Sequence, residues 1–190
     1  MIIGLTGGIG SGKSTAITAL KENGYKTLSC DDITRELYEK RKVLKALRKE
    51  FPSAITGKWK LKADKKEIAR IAFSDKQKYE FLNVYLTRET FKKAMKRAKR
   101  LKGTVIVEVP LLFENDLADK FDKVIVIVRD KNARIESVKS RSNLTKEETI
   151  ARINAQADYE KIDLSKYIVI KNDGREEDLS AAVIKAIKEL

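Results

Sequence analysis

Short apolar runs alternate along this chain with longer stretches in which apolar residues recur at helical spacing. Met1–Leu5, Thr104–Val109, Lys123–Val128 and Tyr167–Ile170 are the runs, dense in isoleucine and valine. Tyr25–Ser29, which follows the Asn23-Gly24 stop, adds a fifth. Apolar runs of this length without polar alternation predict strands covered on both faces, as in a parallel sheet. Helical spacing predicts a helix over Thr15–Leu20. Another is expected over Ile33–Phe51, with Ile33, Leu37, Val43, Leu44 and Leu47 inward until Pro52 breaks it. Asp64–Phe73 and Leu82–Leu101 continue the pattern, the latter through Leu82, Leu86, Met95, Ala98 and Leu101. Arg129–Gln156 reads as two helices, the second opened by Thr145 with Glu148 in a capping-box pattern. Asp178–Leu190 closes the chain as an amphipathic helix. Strand, helix, strand at these spacings means βαβ units and an α/β class, with a mostly helical insertion between the second and third strands. No internal repeat, low-complexity segment or linker interrupts it.

The chemistry gathers where the first strand ends. Gly7-Gly8-Ile9-Gly10-Ser11-Gly12-Lys13-Ser14 matches G-x-x-x-x-G-K-[ST] between a predicted strand and a predicted helix. Glycines let the backbone wrap closely around phosphate with N–H groups turned inward, and the helix start adds its positive dipole end. Lys13 can reach the outer phosphates and the Ser14 hydroxyl can ligate Mg²⁺. A nucleoside triphosphate is the expected ligand. Further acids stand at the ends of two strands. Asp31 and Asp32 follow the second strand, where open α/β sheets bind ligands, although one of them suits capping of the next helix: Asp32, which immediately precedes Ile33. Glu108 closes the third strand, either as the acidic companion of a phosphate loop holding Mg²⁺ or as a charge emerging from the sheet.

Charge changes this picture in one place. The net charge is +13, and residues 35–102 hold 23 Lys and Arg against 8 Asp and Glu. The insertion is therefore basic and the remainder close to neutral; an anionic partner and a solvated helix face are both open readings. The basic segment after the fourth strand (Arg129, Arg134, Lys139, Arg141, Arg152) suits a lid over a triphosphate, or an ordinary surface hairpin with ion pairs. Histidine is absent, which excludes histidine-based catalysis. Cys30 is the one cysteine, so no internal disulfide forms and a cytoplasmic setting is expected. Neither a signal-peptide pattern nor an apolar run of membrane-spanning length is present.

Several segments then combine. They are Leu5-Thr6 with the phosphate loop through Ser14, Asp31, Asp64-Lys65 ahead of Ile71-Ala72-Phe73, and Val109-Pro110-Leu111-Leu112-Phe113-Glu114. The basic segment ending at Arg141, Gln156, and Asn172-Asp173-Gly174 complete the set. In this order they resemble the dephospho-CoA kinase family of P-loop kinases, with V-P-L-L-F-E the most specific part. The resemblance implies ATP-dependent phosphorylation of the ribose 3′-hydroxyl of dephospho-CoA, giving coenzyme A with Mg²⁺ as the metal. It implies a three-layer P-loop NTPase fold with a five-stranded parallel sheet. The core would be 1–32 and 103–190, with a helical CoA-side insertion over 33–102 and a helical lid near 131–156. Asp31 would contact and activate the acceptor hydroxyl, and Lys13 and Arg141 would neutralise the phosphoryl group in flight. Gly8, Ile9, Gly10, Ser11, Gly12, Lys13, Ser14, Thr15, Asn172 and Gly174 would bind ATP. Asp31, Asp64, Lys65, Pro110 and Leu111 would meet the acceptor, and Ser14 and Glu108 the metal. A cytoplasmic monomer acting on small molecules, without nucleic acid or membrane, is the expected setting.

The sequence departs from the family pattern at three places. Ser29-Cys30-Asp31 stands for the usual D-x-D, Thr87-Arg88 for a His-Pro pair, and Ser137 for a lid arginine, with Arg134 one turn away. The competing readings are another small-molecule or nucleoside monophosphate kinase on the same scaffold, and a P-loop NTPase whose basic lobe binds nucleic acid. The latter lacks an aromatic-rich basic strand, and no N-K-x-D motif supports a GTPase.

Overall fold

Ile3, Leu5 and Thr6 are fully buried in strand β1 (Ile2–Gly7), which lies at the middle of a five-stranded sheet. The computed structural model describes every residue except 141, 143, 144 and 160. From β1 the chain passes through the phosphate loop into α1 (Lys13–Glu22) and then β2 (Lys26–Ser29). Next come α2 (Cys30–Leu37), α3 (Arg41–Glu50), a small hairpin of β3 (Ile55–Thr56) and β4 (Lys62–Ala63), α4 (Lys65–Ser74) and α5 (Lys76–Ala98). The return is β5 (Val105–Glu108), β6 (Lys123–Val128), α6 (Lys131–Lys139), α7 (Lys146–Asn154), β7 (Ile168–Lys171) and α8 (Glu176–Lys188). Two compact units result: Met1–Leu28 with Ala98–Leu190, and Ser29–Arg97.

The first unit is the α/β sheet expected from the apolar runs, ordered β2-β5-β1-β6-β7. Registers of β1 with β5 and β6, and of β6 with β7, are parallel. The chain steps from β1 to one side for β2 and β5, and then to the other for β6 and β7. The loop leaving β1 therefore sits at the point where strand order reverses, the place such sheets bind ligands. On one face, Ala16, Ile17 and Leu20 of α1 and Leu179, Val183 and Ile187 of α8 pack over Ile3, Leu5, Ile106, Ile125, Ile127 and Ile170. On the other, the Phe121 ring and Leu112 close so tightly over Gly4 that a Cβ there would lie 3.0 Å from the ring. Close packing on both faces explains why β6 reads as unbroken Val and Ile.

The Ser29–Arg97 unit has its own core, with Leu37, Val43, Leu44, Leu47, Phe51, Ile55, Ile68 and Ala72 buried. Phe81 and Tyr85 stack at 5.5 Å and Phe51 lies 6.5 Å from Phe81. Three expectations are corrected here. The helix expected over Ile33–Phe51 is two helices, broken at Tyr38–Lys40, where the apolar spacing skips from Leu37 to Val43. The helix expected from Leu82 begins at Lys76, because Asp75 accepts hydrogen bonds from the Gln77 and Lys78 N–H groups and caps it. Asp32 is not a cap: α2 already starts at Cys30, with Asp31 and Asp32 both in its first turn and Asp32 paired with Arg35.

The basic stretch over 92–100, which runs along the end of α5 and just past it, divides in two. Lys92, Lys96, Lys99 and Arg100 are exposed, whereas Lys93 and Arg97 hold Glu36 of α2. Arg97 donates to both Glu36 carboxylate oxygens, at 2.8 and 2.6 Å, and Lys93 Nζ donates at 2.7 Å. Arg97 first and Lys93 second hold the Glu36 carboxyl down from 4.5 to about 2. A folded pKa below the unfolded one stabilises the protein fully above pH 4.5, and that contribution fades as pH falls toward 2. With the carboxylate 39% exposed, solvent screening leaves about 1 kcal/mol. Denaturant unfolding of wild type and Glu36→Gln should therefore differ by about 1 kcal/mol at pH 7 and by less than half of that at pH 3. A gap that ignores pH would contradict this account.

Candidate active site

The phosphate loop is held open by its own polar groups. Ser11 is buried, and its N–H donates to the Gly8 carbonyl at 3.1 Å. Asn172, just past β7, donates from Nδ2 to the Ser11 carbonyl at 2.7 Å, while its N–H donates to Val128 at 2.8 Å. Asn172 thus ties the loop to the carboxyl ends of β6 and β7. Gly12 caps α1 at φ +105°, and a Cβ there would lie 2.4 Å from Asn172 Nδ2, so both backbone and neighbour require glycine. Lys13 Nζ donates to the carbonyls of Gly7 at 2.7 Å and Gly8 at 3.1 Å, which curls the lysine back over the loop. Ser14 follows, exposed in the first turn of α1.

Helices α6 and α7 bring a second set of groups to the same loop. Asp130 caps α6 through the Asn132 and Ala133 N–H groups, and Thr145 with Glu148 forms the expected capping box of α7. Arg134 Nε donates to the Ile9 carbonyl at 2.9 Å and Arg129 Nη1 to the Gly10 carbonyl at 3.4 Å. A Cβ on Gly8 would lie 2.4 Å from Arg134 Nη2, so only glycine admits the guanidinium so close. Gln156, beyond α7, accepts the Ile9 N–H at 2.6 Å. Gly8, Ser11, Arg129, Lys131, Arg134 and Gln156 line one cavity of about 900 Å³. Gly12, Thr15, Arg129, Ser137, Asn172 and Gly174 line another of about 620 Å³. Between them, these cavities are lined by Gly8, Ser11 and Gly12 of the loop together with Thr15, Asn172 and Gly174. Two residues that motif reading passes over also belong here. The Tyr159 ring packs edge-on against Phe113 at 5.7 Å, with its phenol pushed up by burial. Glu114 accepts the Ala157 N–H at 2.8 Å. Glu114 lies inside the V-P-L-L-F-E segment, the one sequence signal for it.

The remaining described candidates sit on other elements. Glu108 ends β5 opposite Leu5 of β1, half-buried. Past it, Val109 and Leu112 are buried, Pro110 is half-buried, and Leu111 is 43% exposed. Asp31, Asp64 and Lys65 belong to the Ser29–Arg97 unit. Asp31 is exposed in the first turn of α2. Asp64 caps α4, accepting the Lys66 and Glu67 N–H groups at 3.0 Å, so its carboxylate has a structural task whatever else it meets. Lys65 Nζ lies 5.0 Å above the Tyr38 ring. Arg141 lies outside the described residues.

A family model described as dephospho-CoA kinase matches residues 1–178. The chain belongs to the dephospho-CoA kinase family. A dephospho-CoA kinase of Thermobifida fusca is 37% identical, over 99% of this chain and 95% of its own. A solved Thermus thermophilus structure superposes with a TM-score of 0.83 at 32% identity, covering 100% of this chain and 97% of that one. A dephospho-CoA kinase from Campylobacter jejuni gives 0.75 at 28%, covering 99% and 96%. The kinases of this family use ATP and act on a small molecule. Within the dephospho-CoA kinase pattern, the departing positions have definite places. Ser29 is the extended residue ahead of α2, Thr87 lies within α5, and Ser137 lines the smaller cavity. No helix among the described residues is long and apolar enough to cross a membrane.

Proposed function

We propose that this protein transfers the γ-phosphoryl group of ATP to the ribose 3′-hydroxyl of dephospho-CoA, giving coenzyme A and ADP, as a cytoplasmic monomer without nucleic acid or membrane partner. The reading is supported by a complete phosphate loop whose carbonyls accept from Arg129 and Arg134, in a chain matching this family over residues 1–178. Phosphoryl transfer needs little covalent help from protein; positioning and charge stabilisation do most of it. The loop N–H groups and the start of α1 receive the phosphates, and Lys13 swings from the Gly7 and Gly8 carbonyls to the γ-phosphoryl oxygens. Arg129 and Arg134 supply further positive charge from the lid side, and in this reading Arg141 joins them. Asp31 accepts the proton of the 3′-hydroxyl as its oxygen bonds to phosphorus, and the bond to the β-phosphate oxygen breaks with its electron pair leaving on ADP. The Ser14 hydroxyl and Glu108 carboxylate are hard oxygen donors suited to Mg²⁺, whose other positions would go to phosphate and water. When bound, it offsets charge between the β- and γ-phosphates. Asn172 and Gly174 flank the smaller cavity, which suits the nucleoside of ATP. Lys65, Pro110 and Leu111 offer a cation and apolar surface to the acceptor, and Asp64 caps the helix that Lys65 begins.

An acceptor panel tests this. ATP consumption should depend on dephospho-CoA, and the product should carry one added phosphate at the ribose 3′ position. Faster turnover of any nucleoside monophosphate, or ATP hydrolysis stimulated by RNA without dephospho-CoA turnover, would overturn it.

A further inference from the structure

Ile9, in the phosphate loop, is held on both of its backbone polar groups by opposite ends of the lid. Its carbonyl accepts from Arg134 of α6, and its N–H donates to Gln156, two residues beyond α7. The segment carrying Gln156 is itself fastened. The next residue, Ala157, donates its N–H to Glu114 Oε1, and Tyr159 packs on Phe113. Phe113 in turn lies 5.2 Å from Tyr167, just before β7. Residues 156–159 therefore form a strap with one end at the loop leaving β1 and the other on the segment leaving β5. A hydrogen bond between elements 147 residues apart in sequence fixes the loop only if its acceptor is held in place. Gln156 alone has a flexible side chain; Glu114 and the Phe113–Tyr159 contact supply the fixed base.

We propose that Gln156 and Glu114 are positioning residues for phosphoryl transfer: Glu114 anchors the strap, and Gln156 uses it to set the phosphate loop at Ile9 in register with the lid. Neither need touch the reacting atoms. Their effect reaches the nucleotide through the backbone of Gly8-Ile9-Gly10, whose orientation decides where neighbouring N–H groups and Arg134 point. The proposal rests on the ATP-kinase reading above.

Steady-state kinetics with ATP and dephospho-CoA varied separately test it in four variants: Gln156→Leu, Glu114→Ala, Glu114→Gln and the double Gln156→Leu/Glu114→Ala. Gln156→Leu and Glu114→Ala should each lower kcat/KM for ATP roughly three- to tenfold, the size of one lost neutral or partly exposed hydrogen bond. KM for dephospho-CoA should stay within about twofold, since the strap acts on the nucleotide side. Glu114→Gln keeps an oxygen that accepts the Ala157 N–H and should restore most of the loss. The double variant should fall little further than either single one, because both break the same linkage. The proposal is overturned if the losses are additive, if Glu114→Gln is as impaired as Glu114→Ala, or if ATP and acceptor terms fall together. Should Glu114→Ala fold poorly, Gln156→Leu alone decides, its side chain being only half-buried. A wild-type protein inert toward ATP and dephospho-CoA would sink the kinase reading; an active wild type with variants matching it would sink the strap alone.

Discussion

Lys13→Ala should lower kcat on the order of 10³-fold or more while the protein stays folded. The side chain lies across the loop, its ammonium on the Gly7 and Gly8 carbonyls at 2.7 and 3.1 Å, and is only half-buried. It is therefore no core residue, and removing it costs roughly 1 kcal/mol or less of stability through two lost hydrogen bonds. Its effect on the reaction is of another size. In the proposed reaction the charge spread over the transferred group would meet this half-buried ammonium, and a cation positioned in advance beside that charge is worth more than one free in solvent. Lys13→Met retains the apolar stem and separates the two effects: it should keep the thermal midpoint and lose the turnover. Circular dichroism with single-turnover kinetics checks both variants. A folded Lys13→Ala protein with unchanged turnover would remove phosphoryl transfer at this loop.

The parts of the fold that the sequence made legible are those in which one local rule acts alone. β6 is buried on both faces, so Val124–Ile127 reads as unbroken apolar chain. The phosphate loop is spelled by backbone needs that only glycine meets, as at Gly12. Legibility fails where several short-range signals compete. The Tyr38–Lys40 break carries neither Gly nor Pro, and the two-residue strands β3 and β4 are too short to show a period of two. The apolar periodicity marks α5 only from Leu82, whereas its start is set by the polar Asp75 cap, which carries no apolar signal. Within the site, Asn172 and the loop were indicated by motif and resemblance, whereas Glu114 with the Ala157 N–H and Phe113 with the Tyr159 ring meet through long-range packing that no spacing encodes. The capping choice between Asp31 and Asp32 fails for a physical reason too: α2 starts at Cys30, one residue before Asp31, so both acids lie inside its first turn.

Asp31→Asn should lower kcat on the order of 10²- to 10⁴-fold, since the amide keeps the shape but no longer accepts the hydroxyl proton. The helical placement alters the argument for this residue without removing it. Asp31 and Asp32 occupy consecutive positions in the first turn of α2, so their side chains leave the helix about 100° apart and meet different surroundings. Asp32 is committed to Arg35 one turn on, in an exposed pair. Asp31 has no ion-pair partner among the described residues and is exposed at the end of β2. Both carboxylates gain from the helix dipole, so each Asn substitution costs about 0.3–1 kcal/mol of stability, and stability alone cannot separate them. Turnover can. Asp32→Asn loses an exposed pair worth under about 1 kcal/mol and should leave kcat within a few-fold. Measuring kcat, KM for dephospho-CoA and thermal midpoint for both variants decides the matter. The expected result is a large kcat loss in Asp31→Asn alone, with KM little changed because the charge acts on the proton in flight. If Asp32→Asn loses turnover while Asp31→Asn retains it, the proton acceptor is the second carboxylate, and the pair with Arg35 must open during catalysis to release it.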